Sequence, residues 1–264
     1  MKELNYIYNN IDDFYYDAIN PTEDGDIEDT KNHLNKQDIY FRGLSNSEII
    51  SSKYGYNKGL EELKRLDLDI SLGGSSFKYI YDELDGDDIN YDRLLEGLPS
   101  LHKRIKTYGI GSGRFVNVYV VISENYNVNT SEMLIKAYTA IQIVDLLENL
   151  GYRVAVWSCD NTIDNNGRYQ DVRSVHYSVK VCLKKHEDSL NKSLIFNGIS
   201  PWFFRYFMFA HQKGRYKTSY SMGYAAPLTI EVTKENIIIN KGECLTKESA
   251  DLKIKEIQEL FKIY

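Results

Sequence analysis

The strongest hydrophobic pattern of the chain lies between residues 115 and 159. An almost continuous apolar run from Phe115 to Ile122 predicts a strand that is covered on both faces. From Met133 to Leu147, apolar residues recur at spacings of three and four, which predicts a helix of about five turns with one buried stripe. Gly151 indicates the end of that helix. Residues 152–157 form a second strand pattern, and a crossover of this length predicts that the two strands are parallel.

Further segments extend this unit on its C-terminal side. Residues 173–184 alternate apolar and polar side chains, which is typical of a strand near a sheet edge. Ser200 and Pro201 are suited to start a helix, and the run WFFRYFMFAHQ that follows is apolar on nearly every side. We expect this helix to lie either in the core or against another subunit. Residues 229–240 predict a hairpin, and residues 249–264 predict an amphipathic helix.

Together these elements indicate an α/β fold. We expect a central, mostly parallel sheet flanked by helices, of the Rossmann-like type, with N-terminal helical decoration and a C-terminal hairpin plus helix. Residues 1–40 are acidic and rich in tyrosine, and they are expected to form an N-terminal acidic arm or helices. Residues 41–264 are expected to form a single α/β domain.

Composition and charge narrow the classes of function. The chain of 264 residues has a formal net charge of -6, which argues against a dedicated duplex-DNA-binding domain. The three cysteines lie far apart and lack the spacing of metal ligands, so we expect reduced thiols in the core. No segment has the pattern of a secretory signal or of a membrane span, which predicts a soluble cytoplasmic protein without membrane contact.

The polar residues that follow the two predicted parallel strands form the first candidate site. Ligands of open α/β sheets bind beyond the carboxyl ends of such strands. Part of the first loop also has a local role, because Asn129 and Glu132 have the spacing of a helix-capping box. We predict a rim that contacts a ligand or partner and consists of Ser123, Glu124, Asn125, Asn127, Ser158 and Asp160.

A second candidate site combines cations with tyrosines. Aromatic rings stack on bases while cations meet phosphates, so this combination favours nucleic-acid or nucleotide binding. A solvated loop without a ligand is the alternative. The residues concerned are Arg114, Arg205, Lys213, Arg215, Tyr216 and Lys217.

The order strand, polar loop, long helix and second strand resembles the von Willebrand factor A domain. In that family the first loop carries a metal-binding Asp-x-Ser-x-Ser motif, and Ser123, Asn125 and Asn127 occupy the corresponding positions here. The leading aspartate and both following hydroxyls are missing. Since a divalent ion prefers anionic oxygens, we predict no metal site and no cofactor.

A second resemblance covers residues 40–227. The blocks RGLSNSEIISSKYGYNKGLEELKRL, LEGLPSL, SPWFFRYFMFAHQ and SMGYAAP are similar to blocks in an uncharacterised family of tailed-phage and prophage proteins. That resemblance implies a viral source and the cytoplasm of a host cell, with virion association as an alternative. It implies no defined activity.

The expected function is therefore non-enzymatic. We expect a binding or interaction protein that acts on a host or viral macromolecule, with a host or viral protein as partner and a second copy of the chain as an alternative. Nucleic-acid or nucleotide binding through residues 205–220 is the second hypothesis. A hydrolase that uses the strand-end loops is the third, with Cys159 as nucleophile and His176 or His211 as its base.

Overall fold

The computed structural model describes residues 1–35, 46–55, 77–82, 88–89, 91–106, 114–219 and 222–261. The strands are β1 (Lys2–Tyr8), β2 (Phe77–Asp82), β3 (Asp88–Ile89), β4 (Leu101–Lys106), β5 (Phe115–Val121), β6 (Arg153–Tyr169), β7 (Val172–Lys184), β8 (Tyr224–Ala225) and β9 (Asn236–Ile239). The helices are α1 (Ile11–Ile19), α2 (Ile27–Asn35), α3 (Asn46–Ser51), α4 (Tyr91–Leu95), α5 (Thr130–Asn149), α6 (Lys192–Ile199), the π-helical turn Phe203–Met208, α7 (Phe209–Arg215) and α8 (Lys247–Phe261).

The central sheet has the strand order β1-β7-β6-β5-β9, and β8 pairs with β6 outside this path. Strand β5 is parallel to β6 and to β9, and β1 is parallel to β7. The pairs β6/β7 and β6/β8 are antiparallel. The predicted α/β class, with a mostly parallel central sheet flanked by helices, is confirmed. Strands β2, β4 and β3 form a separate antiparallel sheet.

The predicted parallel unit from β5 through α5 to β6 is confirmed, as are its local signals. The side chain of Asn129 accepts a hydrogen bond from the amide of Glu132, and the Glu132 carboxylate accepts one from the amide of Asn129. These two bonds satisfy amide groups that have no partner within the helix. Gly151 has φ 86°, a conformation that an L side chain rarely adopts, and the chain turns there into β6.

The two faces of the central sheet differ in their cover. Alternate residues such as Val118, Val156 and Val179 point into one large core, which also takes buried side chains from α1, α5, α6 and α8. The π-helical turn lies in this core as well, so the apolar helix is buried within the chain. On the opposite face, a small cluster joins Val121 and Cys159 to Leu228.

Several sequence predictions differ from the structure. Strand β6 does not end at residue 157, because residues 158–164 continue to pair with β7. Backbone pairing across the tight turn between β6 and β7 thus outweighs the polar composition of this segment. Strand β7 is internal instead of near an edge, since β1 covers its far side. Residues 2–8, expected in an arm or helix, supply that edge strand.

The expected C-terminal hairpin over residues 229–240 does not form. Of that segment only residues 236–239 are a strand, and they pair with β5. Leu228 is buried on the opposite face of the sheet. The isoleucine run therefore completes the central sheet, and the residues before it cover part of that sheet.

Candidate ligand-binding cleft

The candidate site is a cleft where the central sheet is incomplete. Strand β5 ends at Val121, opposite Cys159, while β6 continues for several residues. Strand β8 pairs with Thr162 and Ile163 further along β6. Between the end of β5 and β8 opens a cleft of about 630 Å³. Its position agrees with the rule that ligands bind beyond the carboxyl ends of parallel strands.

The walls of the cleft are mainly apolar and its rim is polar. Phe204 and Phe209 form one wall, with ring centroids 4.8 Å apart in an edge-to-face arrangement. The amide side chains of Asn125 and Asn127 are exposed at the rim, and Tyr126 between them is 94% exposed. The remaining lining residues are Glu124, Thr162, Arg205, Met222, Gly223, Tyr224 and Ala225.

Arg205 places a positive charge in this wall. The residue is only 7% exposed, and its Nη2 donates a hydrogen bond of 2.9 Å to the carbonyl of Val128. This bond connects the π-helical turn to the loop after β5. The positive charge of Arg205 in this wall favours an anionic group in the cleft.

Glu124 lines the cleft, but its carboxylate is already engaged. It forms a buried ion pair with the ammonium of Lys136 and accepts a hydrogen bond of 2.9 Å from the amide of Gly242. Lys136 also donates to the carbonyls of Val121, at 3.0 Å, and Asn240, at 2.9 Å. Burial lowers the pKa of Lys136, while the charge of Glu124 raises it. This pair fixes the end of β5 to α5 and to the loop after β9.

Three of the predicted rim residues lie inside the protein. Ser123 is fully buried, and its hydroxyl bonds to the backbone of Asn161, accepting from the amide at 3.0 Å. The hydroxyl of Ser158 is also buried and donates to the carbonyl of Gly198 at 2.6 Å. The third is Asp160. The cleft therefore brings together Glu124, Asn125 and Asn127, whereas Ser123, Ser158 and Asp160 are not among its described lining residues.

Asp160 is a fully buried carboxyl, and neither of its oxygens has a hydrogen-bond partner among the described residues. Its side chain points to the same face of β6 as Thr162, which lines the cleft. Burial raises the pKa of Asp160 to about 7, and the nearby hydroxyl of Ser123 opposes part of this rise. A carboxyl in such a position is held at least partly in its neutral form.

The wall opposite the phenylalanines depends on a glycine. Gly223 has φ 83°, and a Cβ placed on it would lie 2.7 Å from the carbonyl oxygen of Ile163. Met222 precedes it, also with a positive φ of 57°. The close approach of this segment to β6 lets β8 form. The sequence pattern does not mark residues 222–225 as a wall of the site, and only the turn-forming Gly223 signals a close approach there.

The predicted nucleic-acid residues are not on one surface. Tyr216 is fully buried, with its hydroxyl against Gln212, and Arg215 is 4% exposed. Arg215 forms an ion pair of 2.9 Å with Asp17, and Lys213 pairs with Asp29. Arg205 lines the cleft, Lys217 is exposed beside β6, and Arg114 lies before β5. Arg215 and Tyr216 are thus placed to stabilise the fold, and the ring of Tyr216 is not open to a base.

The three cysteine thiols, like Arg215 and Tyr216, lie inside the fold. All three cysteines are free and buried. Burial raises the pKa of Cys159 and of Cys244 to about 12, which disfavours the thiolate that a nucleophile requires. The proposed base His176 lies 2.9 Å from the side-chain oxygen of Asn161. Cys159 and His176, the suggested nucleophile and base, are thus engaged in the fold as a buried thiol and as a partner of Asn161.

His211, the other suggested base, lies in a buried chain of hydrogen bonds. The Tyr8 hydroxyl donates to Asp17 at 2.7 Å and lies 2.6 Å from Nε2 of His211. The Nε of Arg215 donates to the same ring nitrogen, Nε2, at 3.3 Å. Nδ1 forms a hydrogen bond of 2.5 Å with the Tyr177 hydroxyl. Burial and the charge of Arg215 hold the pKa of His211 well below its usual value.

The chain belongs to a family described as a domain of unknown function, DUF7192, whose match covers residues 2–264. No curated protein and no solved structure matches the chain significantly. Within the part of the chain that the structure describes, no helix has both the length and the apolar character needed to cross a membrane.

Proposed function

We propose that the protein is a non-enzymatic binding protein and that its cleft holds a short segment of a protein partner. The cleft of about 630 Å³ has the size of a site for a small ligand. It is therefore large enough for one or two side chains of a partner, while the rest of that partner remains outside. The observation that carries the proposal is the combination of apolar walls with one cation and a rim of amides.

The cleft chemistry defines the segment. Phe204, Phe209 and Met222 favour an aromatic or aliphatic side chain, because its burial removes apolar surface from water. Arg205 in the same wall favours a neighbouring carboxylate. We therefore expect an apolar residue next to an acidic residue in the bound segment.

The rim supports a peptide in particular. The side chains of Asn125 and Asn127 each offer a carbonyl acceptor and an amide donor, which are the complements of the groups of a peptide backbone. Tyr126 and Tyr224, 94% and 68% exposed, can fold over such a segment from two sides. Tyrosine provides a large contact area with few rotatable bonds.

The source of the partner rests on the resemblance to tailed-phage and prophage proteins. It favours a host or viral macromolecule met in the cytoplasm of a host cell. A von Willebrand-like use of the first loop would fit this proposal only in its position, because Asn125 and Asn127 present amides instead of the anionic oxygens of a metal site.

The proposal is tested by selecting binders from a random peptide library on the full chain. We expect enriched peptides that carry an aromatic or large aliphatic residue beside Asp or Glu. The substitutions Tyr126→Ala and Tyr224→Ala together are expected to weaken the tightest peptide at least about tenfold, since both rings are accessible contact surface. Failure to enrich any peptide would contradict the proposal.

The matched control removes an exposed tyrosine elsewhere. Tyr16 on α1 is 66% exposed and does not line the cleft. We expect Tyr16→Ala to change the affinity of the selected peptide less than about twofold. Equal losses in the control and in the cleft variant would mean that the peptides bind tyrosines in general and not the cleft.

A further inference from the structure

The face of the central sheet opposite the helices carries a second surface with its own chemistry. Phe115, Asn117 and Tyr119 alternate with the buried valines of β5, and therefore point away from the main core. Trp157 on β6 is paired with Tyr119 and points to the same side. The segment around Leu228 covers one part of this face, where Tyr119 and Trp157 pack against it and remain partly exposed. We call the set Phe115, Asn117, Tyr119, Trp157 and Lys180 the open face.

Aromatic rings are spread along the open face. Tyr119 and Trp157 are stacked, with an interplanar angle of 21° and ring centroids 6.3 Å apart. Both side chains are partly exposed, and Phe115 is 52% exposed. Phe115 and Tyr119 are four residues apart on one strand, which separates them by about 13 Å. That spacing leaves room for two separate stacking positions.

Cations surround these rings. The Nζ of Lys180 lies 5.7 Å from the ring centroid of Tyr119. Arg114 and Arg153 are exposed neighbours at the start of β5 and β6, where the amide of Arg153 donates to the carbonyl of Arg114 at 3.0 Å. Lys234 is exposed beside them. Among the residues that the structure describes, no carboxylate forms an ion pair with any of these four side chains.

A groove at the end of the open face brings aromatic rings and cations together. It has a volume of about 550 Å³ and is lined by Arg114, Phe115, Asn117, Tyr152, Lys234 and Glu235. Among the residues that the structure describes, Glu235 is the one acidic residue of this lining. The guanidinium of Arg114 lies over the ring of Tyr152, 5.7 Å from its centroid. Two cations and two rings therefore face a space large enough for a nucleotide.

We infer that the open face and its groove bind single-stranded nucleic acid, with bases stacked on Phe115 and Tyr119 and phosphates held by Arg114, Arg153, Lys180 and Lys234. A polyanion is favoured because, among the described residues, none of these four cations forms an ion pair with a carboxylate, although the chain has a net charge of -6. Bases are favoured over an acidic peptide because a peptide of Asp and Glu would leave the aromatic rings without partners. A duplex is disfavoured because its bases are already stacked.

This surface is independent of the cleft. The cleft is lined by residues after the end of β5 and by the π-helical turn, whereas the groove lies at the start of β5. The nucleic-acid hypothesis from the sequence centred on residues 205–220, and of its six residues only Arg114 belongs to the present surface. The two proposals can consequently fail or succeed separately.

The test measures the fluorescence anisotropy of labelled single strands of about twelve nucleotides, DNA and RNA, with the full chain at about 50 mM salt. We expect binding that weakens steeply as salt rises. Arg114→Gln with Lys234→Gln should weaken binding at least about tenfold. It should also reduce the slope of the logarithm of the binding constant against the logarithm of the salt concentration by about 1.4, the value for two lost phosphate contacts on a single strand. Phe115→Ala should weaken it at equal salt slope, because it removes stacking only.

The control substitutes two exposed lysines elsewhere, Lys217→Gln with Lys247→Gln, and should change the affinity less than about twofold. All substituted residues are exposed, and thermal unfolding of each variant verifies that it is folded. The inference is overturned if the wild type does not bind the single strands at low salt, or if the control variant loses as much affinity for them as the groove variant does. Equal affinity for duplex DNA or for a polyglutamate peptide would also overturn it, since such binding needs only charge.

Discussion

The carboxylate of Glu124 pairs with the ammonium of Lys136 inside the protein, at the point where β5 ends and the cleft begins. Lys136 is 1% exposed and Glu124 is 9% exposed. Further hydrogen bonds join the ion pair to the backbone of two segments, the end of β5 at Val121 and the loop after β9 at Asn240 and Gly242. Buried charges of this kind are stable only while both partners are present. The pair therefore holds the loop after β5, which lines the cleft, in one position.

Removing one residue of the Glu124–Lys136 ion pair should lower the free energy of unfolding far more than removing both. We expect Lys136→Met to lower the free energy of unfolding by about 3 to 5 kcal/mol, because it leaves the carboxylate of Glu124 buried without its cation. The double variant Glu124→Gln with Lys136→Met should lose less than the single variant. Urea denaturation of the wild type, both single variants and the double variant measures this difference. Additive losses would show that the pair has no coupling.

Asp160 should make the protein less stable as the pH rises. The pKa of this carboxyl is about 7 in the folded protein and near 3.8 when unperturbed. Between these values the folded state holds the proton that the unfolded state releases, so stability falls by up to about 4 kcal/mol from pH 4 to pH 7. We expect Asp160→Asn to be more stable than the wild type at about pH 8 and equal to or less stable than it at about pH 4. A constant difference across this range would contradict the expected titration.

The protonation of His211 should act in the opposite direction. Because the pKa of His211 is held well below 6.5, the unfolded state takes up a proton first as the pH falls. The stability that the neutral ring contributes is present above about pH 6.5 and is lost below it. Tyr177→Phe removes the hydrogen-bond partner of Nδ1 and should cost about 1 to 3 kcal/mol at neutral pH. Urea denaturation measures this cost, and Tyr126→Phe at the exposed rim is the control with no expected loss.

Gly223→Ala should disturb the cleft wall without removing any contact of its own. The added methyl would meet the backbone of Ile163 at 2.7 Å, and φ 83° adds strain. We expect a loss of more than about 1 kcal/mol and faster amide exchange at Ala225 and Ala226. Gly242 also has a positive φ, of 75°, but an added Cβ there meets nothing within 4 Å. Gly242→Ala therefore separates the cost of φ from the cost of the clash.

The sequence predicted those parts of the fold that depend on local order. The valine run of β5, the capping pair Asn129 and Glu132 and the closing Gly151 all describe neighbouring residues, and all were confirmed. The extension of β6 through Ser158 to Asn161 was not predictable, because it depends on pairing with β7 and on the backbone bonds of Ser123.

The site shows the same division. The position of the cleft follows from the order of strands, so the loop with Asn125 and Asn127 was found in advance. Its walls come from Phe204, Phe209 and Met222, which are far away in sequence and look like ordinary core residues there. Burial alone distinguishes Asp160 from Asn125, and burial is a property of tertiary packing.

The most direct test of the proposed cleft is amide hydrogen exchange of the wild-type chain with and without the tightest peptide from the library selection. We predict slower exchange in residues 122–128 and 222–226, on both sides of the cleft, with no change in residues 153–157 at the start of β6. Slowed exchange confined to other parts of the chain, or no change under saturating peptide, would contradict the claim that the cleft holds the partner segment.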